Sequence, residues 1–87
     1  MPTLRFLGGL RRFGAADVRV TGATVGAALQ VSPIPPGILF PAGQLHPDIE
    51  VLVNGRNIAF LAGLDTRLDD DDRVTVFSNG VRGYPGG

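Results

Sequence analysis

Alternating residues predict a β-hairpin at the start of the chain. In residues 3–7, Leu4 and Phe6 fall on one face of a strand and the remaining residues fall on the other. Val18 and Val20 repeat this spacing after a break that contains a glycine pair. Two such runs separated by a turn are typical of antiparallel pairing. We therefore predict that the first two strands pair with each other.

A short helix is predicted next, followed by an irregular connection. Thr24 is a suitable N-cap, and Val25, Ala28 and Leu29 recur at the spacing of one helical face. The run PIPPG at residues 33–37 cannot continue a helix, because proline lacks the backbone N–H. We predict one short amphipathic helix that ends before these prolines.

The strongest hairpin signal in the chain is Asn54-Gly55, which lies between two apolar runs. Alternation places one set of residues of the preceding strand toward the core, namely Ile49, Val51 and Val53. Leu52 then lies on the opposite face, where a half-exposed sheet usually carries a polar residue.

A turn and a final strand close the predicted domain. Residues 62–68 are too short and mixed for a full helix and are predicted to form a single turn with Leu64 and Leu68 buried. The following strand directs Val74 and Val76 to the core and ends at Phe77, which faces outward like Leu52.

Two outward apolar residues, Leu52 and Phe77, indicate a contact surface for another protein, and Phe60 is predicted to join them. The alternative is that a loop of the same chain covers these side chains.

Composition limits the classes of function. The 87 residues suffice for one domain, and eight basic residues balance eight acidic ones, so no net field favours nucleic acid or an anionic membrane as a partner. The chain has no cysteine, and no signal peptide or membrane-spanning segment is visible, which favours a cytoplasmic protein. All eight basic residues are arginine, so there is no lysine.

The side chains available for catalysis are few. His46 is the only histidine, and no cysteine accompanies it to complete a metal site, so we predict a structural or solvated role. The run Asp69–Asp72 lacks the spacing of a calcium loop and is predicted to be a solvated turn. We therefore expect neither a metal nor a cofactor, and a protein that is not itself an enzyme.

The chain ends in Gly86-Gly87, beyond the last predicted strand. Because glycine has no Cβ, such a tip can enter a narrow cleft backbone first, which suits a tail that another enzyme modifies. The alternative is an ordinary frayed terminus, where small and polar residues are common.

The segment LFPAGQLHPDIEVLVNGRNIAFLAGLDTRLDDDDRVTVF, together with the terminal glycine pair, resembles the MoaD/ThiS-type ubiquitin-like sulfur carriers and small modifiers. TLRF and GATVGAAL are similar, more loosely, to the first strand and helix cap of that family. The sequence departs from the family pattern at Asp71, which replaces a glycine in the turn before the last strand, and in a longer tail.

The resemblance implies an α+β fold of the β-grasp type, with a mixed sheet of four or five strands packed on one short helix. Its first and last strands would be parallel and central. Residues 1–77 would form the domain and residues 78–87 a flexible tail.

The resemblance also implies a function. An E1-like enzyme would adenylate Gly87 with ATP, and sulfur would replace AMP to give a thiocarboxylate that serves molybdopterin, thiamine, cysteine or thiolated tRNA synthesis. Gly86 would give access, and Leu52, Phe60, Phe77 and Tyr84 would contact partners, namely the E1-like enzyme and a sulfur-accepting subunit or target protein. One alternative is a modifier attached through Gly87 to lysines of other proteins. Another is a β-grasp interaction module that is never activated.

Overall fold

The computed structural model describes residues 1–14 and 17–78. The strands are β1 (Thr3–Phe6), β2 (Val18–Arg19), β3 (Ile49–Val53), β4 (Arg56–Asn57) and β5 (Arg73–Ser78). The α-helices are α1 (Val25–Gln30) and α2 (Pro36–Leu39). Short 3₁₀ segments lie at Gly8–Phe13, Pro41–Gly43, Ile58–Phe60 and Gly63–Asp65.

The five strands form one mixed sheet in the order β2-β1-β5-β3-β4. β1 pairs with β5 in parallel, with Leu4 beside Val74 and Phe6 beside Val76. The other neighbours are antiparallel, including the predicted pairs β1 with β2 and β3 with β4. The fold that the family resemblance implied is therefore confirmed, and β5 lies at the centre of the sheet.

One face of the sheet and α1 enclose the core. Every residue assigned to the core by alternation in β1, β3 and β5 is buried, and none exposes more than 7% of its surface. The core consists of Leu4, Phe6, Leu10, Val20, Val25, Ala28, Leu29, Ile34, Leu39, Ile49, Val51, Val53, Ile58, Val74 and Val76. Leu64 and Leu68, predicted to be buried, are only half-buried at the margin of this cluster.

Helix α1 begins as its sequence predicts. The Thr24 hydroxyl oxygen accepts a hydrogen bond from the Ala27 N–H at 3.2 Å, which satisfies one of the free donors of the first turn. Val25, Ala28 and Leu29 then face the sheet.

The proline-rich stretch was expected to be irregular throughout, and this prediction is wrong for its second half. Pro36 begins the one-turn helix α2, in which the Phe40 N–H donates to the Pro36 carbonyl at 2.7 Å. Proline is tolerated in the first turn of a helix, where its missing N–H would have no intrahelical partner. The turn buries Leu39 completely.

Three other segments depart from simple alternation. The glycine pair Gly8-Gly9, predicted to form a turn, begins the 3₁₀ helix Gly8–Phe13, which buries Leu10. The strand after the hairpin turn stops at Asn57, because the Asn57 side chain accepts a hydrogen bond from the Ala59 N–H at 2.9 Å and starts a 3₁₀ turn. At the other end, β5 extends to Ser78, one residue beyond the predicted end.

The turn between β3 and β4 is tied to the turn before β5. Asn54 has a positive φ of 52°, which asparagine tolerates. Its amide donates to the Asp72 carboxylate at 2.9 Å, and the Asp69 N–H donates to the same carboxylate at 2.8 Å. The hydrogen bond from Asp69, and then that from Asn54, lower the pKa of Asp72. Asp71 does not have a positive φ, so this aspartate fits the turn without left-handed strain.

Gly22 is required where the chain passes close to α1. Its φ is 156°, and a Cβ at this position would lie 2.7 Å from the Ala28 backbone nitrogen. We expect Gly22→Ala to lower the free energy of unfolding by about 3 kcal/mol, because the clash with backbone cannot be relieved by a side-chain rotation.

Gly37→Ala is the matched control, because a Cβ on Gly37 meets nothing within 4 Å. We expect its stability to be unchanged or raised by up to about 1 kcal/mol, since alanine favours a helix over glycine. Urea denaturation of both variants measures the difference, and equal losses would contradict the proposed clash.

Candidate functional site

The central strand β5 leads to the C-terminal segment. It is held on one side by β1 and on the other by β3, where Ser78 pairs with Ile49. The predicted site residues Tyr84, Gly86 and Gly87 lie outside the residues that the structure describes. The strand anchors this segment, because β5 is paired with β1 as far as Val76 and with β3 as far as Ser78.

Leu52 and Phe77 lie on the outer face of the sheet, as alternation predicts. Phe77 is opposite Glu50, and Leu52 is opposite Thr75, so Leu52 and Phe77 are diagonal neighbours on adjacent strands. Both side chains are half-buried. The two residues are therefore brought together on the same part of the surface.

Leu7 extends this surface and was not among the predicted site residues. It continues the alternation of β1, and its N–H donates to the Val76 carbonyl at 3.0 Å, which places it beside Phe77. Its exposed fraction is 41%. We call Leu7, Leu52 and Phe77 the outer patch. The assignment of Leu7 to the outer face was available from the sequence, but its proximity to Phe77 required the pairing of β1 with β5.

Phe60 lies at the edge of the sheet. It ends the 3₁₀ turn that follows the edge strand β4, which is next to β3, the strand of Leu52, and two strands, about 10 Å, from β5, the strand of Phe77. Its exposed fraction is 83%, the highest among the large apolar side chains of the described residues.

The next turn is held by Thr66, whose hydroxyl accepts from the Ala62 N–H at 3.0 Å and donates to the Gly63 carbonyl at 2.7 Å. Phe60 is thus displayed at the edge of the sheet, beside a segment with fixed hydrogen bonds.

Polar pairs flank the outer patch. The Arg5 guanidinium donates to the Asp17 carboxylate at 3.2 and 3.4 Å across the pairing of β1 with β2. This hydrogen bond lowers the pKa of Asp17 and raises that of Arg5. On the other side, the Asn57 amide donates to the Glu50 carboxylate at 2.6 Å. The patch is therefore apolar at its centre and polar at its margins, as protein interfaces commonly are.

A cleft of about 200 Å³ opens beside the end of β5. We call it the tail-base cleft; it is lined by Gly9, Leu10, Arg12, Ile38, His46, Asp48, Ile49 and Ser78. His46 was predicted to be structural or solvated, and it has one local role, because its Nδ1 accepts a hydrogen bond from the Asp48 N–H at 3.0 Å. Its place beside Arg12 and Ser78 could not be inferred from the sequence, since the three residues come from distant segments.

Within residues 1–14 and 17–78, no group of three or more histidine, cysteine, aspartate or glutamate residues could hold a metal ion. No helix in this described part is long and apolar enough to cross a membrane.

Comparison with known proteins adds two sequence relatives. The chain is 46% identical over 41 residues to small archaeal modifier protein 3 of Haloferax volcanii. This matched segment covers 47% of this chain and 45% of that protein. It is 41% identical over 39 residues to a candidate sulfur carrier protein of Archaeoglobus fulgidus, covering 45% of this chain and 44% of the relative. The matched segments therefore span less than half the length of these curated relatives.

The fold has a solved counterpart that matches over nearly its whole length. A chain of the BexX/CysO complex of Amycolatopsis orientalis superposes with a TM-score of 0.76 at 25% identity, covering 90% of this chain and 94% of that one. The likeness therefore extends well beyond the length of the segment shared with the sequence relatives.

The model of the ThiS family matches residues 4–78, which include β2 to β5, all but the first residue of β1, α1, the outer patch and the tail-base cleft. The chain thus belongs to the ThiS family, whose ubiquitin-like β-grasp members include sulfur carriers and small protein modifiers.

Proposed function

We propose that this protein is a sulfur carrier whose Gly87 carboxylate is activated by a partner enzyme and converted to a thiocarboxylate. The observation that supports this most is the match to the ThiS family over residues 4–78, followed by a segment that ends in Gly86-Gly87. Nine residues follow Ser78 and, fully extended, reach about 30 Å. A tail of this length allows the partner's active site to lie far from the folded domain.

The proposed chemistry has two steps. A Gly87 carboxylate oxygen attacks the α-phosphorus of ATP, and pyrophosphate leaves. This step is needed because a bare carboxylate is a poor electrophile, whereas the acyl adenylate carries AMP as a good leaving group. A hydrosulfide equivalent from a sulfur-donating enzyme then attacks the acyl carbon, and AMP departs with the electrons of the C–O bond. In this proposal the E1-like partner catalyses both steps, and this chain supplies the carboxylate and the docking surface.

The outer patch is the proposed docking surface for that partner, with Phe60 as a separate contact at the sheet edge. Exposed apolar groups bordered by polar pairs favour protein contact. A sulfur-accepting subunit would use the same protein surface after the first partner leaves. The related CysO crystallised in a complex with BexX, which supports the general idea that such chains work with other proteins.

Intact-mass measurement of the protein from its native host tests the proposal. We expect part of the population to gain the mass difference between sulfur and oxygen, and fragmentation to place this change at Gly87. A population that carries only the carboxylate, while an adenylating enzyme and a sulfur source are active in the same cells, would contradict the carrier function and favour an interaction module.

A protein modifier is the second candidate, and the likeness to small archaeal modifier protein 3 favours it. In that case Gly87 would acylate lysines of other proteins. This chain has no lysine, and the guanidinium of arginine stays protonated and is not a useful nucleophile. We therefore expect single attachments and no lysine-linked polymers. Mass spectrometry of native conjugates checks this, and self-conjugates linked anywhere except the α-amine would overturn it.

A further inference from the structure

The tail-base cleft presents hydrogen-bond donors from three separate segments. Arg12 comes from the 3₁₀ helix after β1, His46 from the loop before β3, and Ser78 from the end of β5. These residues bring a positive guanidinium and two further polar side chains to one place, although the protein as a whole has no net charge.

Arg12 is available to bind a carboxylate. Within the part of the chain that the structure describes, no acidic side chain forms an ion pair with it, and the residue is exposed. Its guanidinium carbon lies 4.9 Å from the centre of the Phe13 ring, within the range of a cation–π contact. A guanidinium offers a planar fork of donors that matches the two oxygens of a carboxylate.

His46 adds a donor, because its other ring nitrogen is already occupied. Nδ1 accepts the Asp48 N–H, so the neutral ring carries its proton on Nε2. Nε2–H is then free to donate to a ligand in the cleft. The hydroxyl of Ser78 is a third potential donor.

The remaining lining residues restrict the kind of ligand. Asp48 also lines the cleft, and its negative charge opposes any anion, so a ligand needs contacts beyond the attraction of Arg12. Leu10, Ile38 and Ile49 provide apolar surface, which favours a carboxylate carried on an aliphatic stem. A glutamate side chain of a protein combines a carboxylate for Arg12 with an aliphatic stem for the apolar surface, and this stem is longer than that of aspartate.

The position of the cleft identifies the protein that could supply this side chain. Ser78 is part of the lining, and the nine following residues start from it. A protein that binds the residues directly after Ser78 therefore comes close to this cleft. We infer that the tail-base cleft is a carboxylate-binding site that takes a glutamate of the partner that holds the tail. This inference rests on the proposed function only for the identity of that partner.

Peptide titration of the ¹⁵N-labelled full chain tests the inference. The probe is a capped Leu-Glu-Leu tripeptide, and the matched probe is Leu-Gln-Leu. We expect the glutamate peptide, at millimolar concentration, to shift the NMR signals of the Arg12 Nε–H and the His46 ring. The glutamine peptide should bind about tenfold more weakly, because it lacks the charge-assisted hydrogen bonds.

Single substitutions test the contribution of each donor to peptide binding separately. Arg12→Gln should weaken binding of the glutamate peptide about tenfold, whereas Arg19→Gln, an exposed arginine on the edge strand β2, should leave it unchanged. His46→Asn keeps a side-chain acceptor for the Asp48 N–H but removes the Nε2 donor, so it should weaken binding without loss of stability.

Three results would overturn the inference: no shift in the unmodified protein, equal response to both peptides, or unchanged binding by Arg12→Gln. The titration involves no adenylation, so its outcome is independent of the mass measurement that tests the proposed function.

Discussion

Deletion of Gly86-Gly87 is expected to abolish adenylation of the protein while its thermal stability stays nearly the same. The proposed reaction takes place at the terminal carboxylate, and a narrow active site admits glycine where a larger residue would clash. Among the residues that the structure describes, the fifteen of the buried core lie between Leu4 and Val76, so the deletion removes none of them. Pyrophosphate release in the presence of the E1-like enzyme and ATP measures the activity.

Replacement of Gly86 by tryptophan should have the same effect as the deletion. Gly80→Ala is the matched control, because it alters a glycine of the same segment far from the terminal carboxylate, and it should retain most of the activity. The thermal midpoint of each variant should change by less than about 4 °C, the shift that 1 kcal/mol causes in a domain of this size. Normal turnover by the deleted protein would contradict the carrier function.

Charge substitution in the outer patch is expected to weaken docking more than folding. Leu52→Glu and Phe77→Glu each remove an apolar side chain from the proposed interface, where burial contributes about 1.5 to 3 kcal/mol. We therefore expect the KM of the E1-like enzyme for this protein to rise about 10- to 100-fold. Because both residues are half-buried, some loss of thermal stability should accompany this change.

Val31→Glu is the control for an exposed apolar residue, since Val31 follows α1 on the other side of the sheet and exposes 56% of its surface. It should leave KM unchanged. Phe60→Glu then decides whether the sheet edge takes part in docking. If Leu52→Glu and Phe77→Glu lose binding only in proportion to the unfolded fraction, the outer patch supports the fold and is not an interface.

Much of the fold could be predicted because it depends on local interactions. Thr24 caps α1 through the Ala27 N–H three residues away, and Asn54-Gly55 forms a turn through its own backbone conformations. In β3 and β5, alternation assigned every buried residue correctly, because successive side chains of a strand point to opposite faces.

The errors occurred where a local hydrogen bond or a helix start competed with a pattern. The Asn57 side chain ended β4 early, and Pro36 opened a helical turn within a stretch expected to be irregular. Each of these two features depends on the conformation of a single residue. The periodicity of apolar residues along the chain carries no information about that conformation.

The sequence by itself determined which residues of each strand face the core, where the main helix begins, and that the chain resembles a β-grasp carrier. Alternation and turn signals predicted the two hairpins, but they could not determine the pairing of β1 with β5, which joins residues about 70 positions apart and was implied only by the family resemblance. Only the tertiary structure placed Leu7 beside Phe77 and Phe60 at the β4 edge of the sheet. It alone also brought Arg12, His46 and Ser78 to one cleft, because the folding of the whole chain, and no local spacing, sets the distances between them.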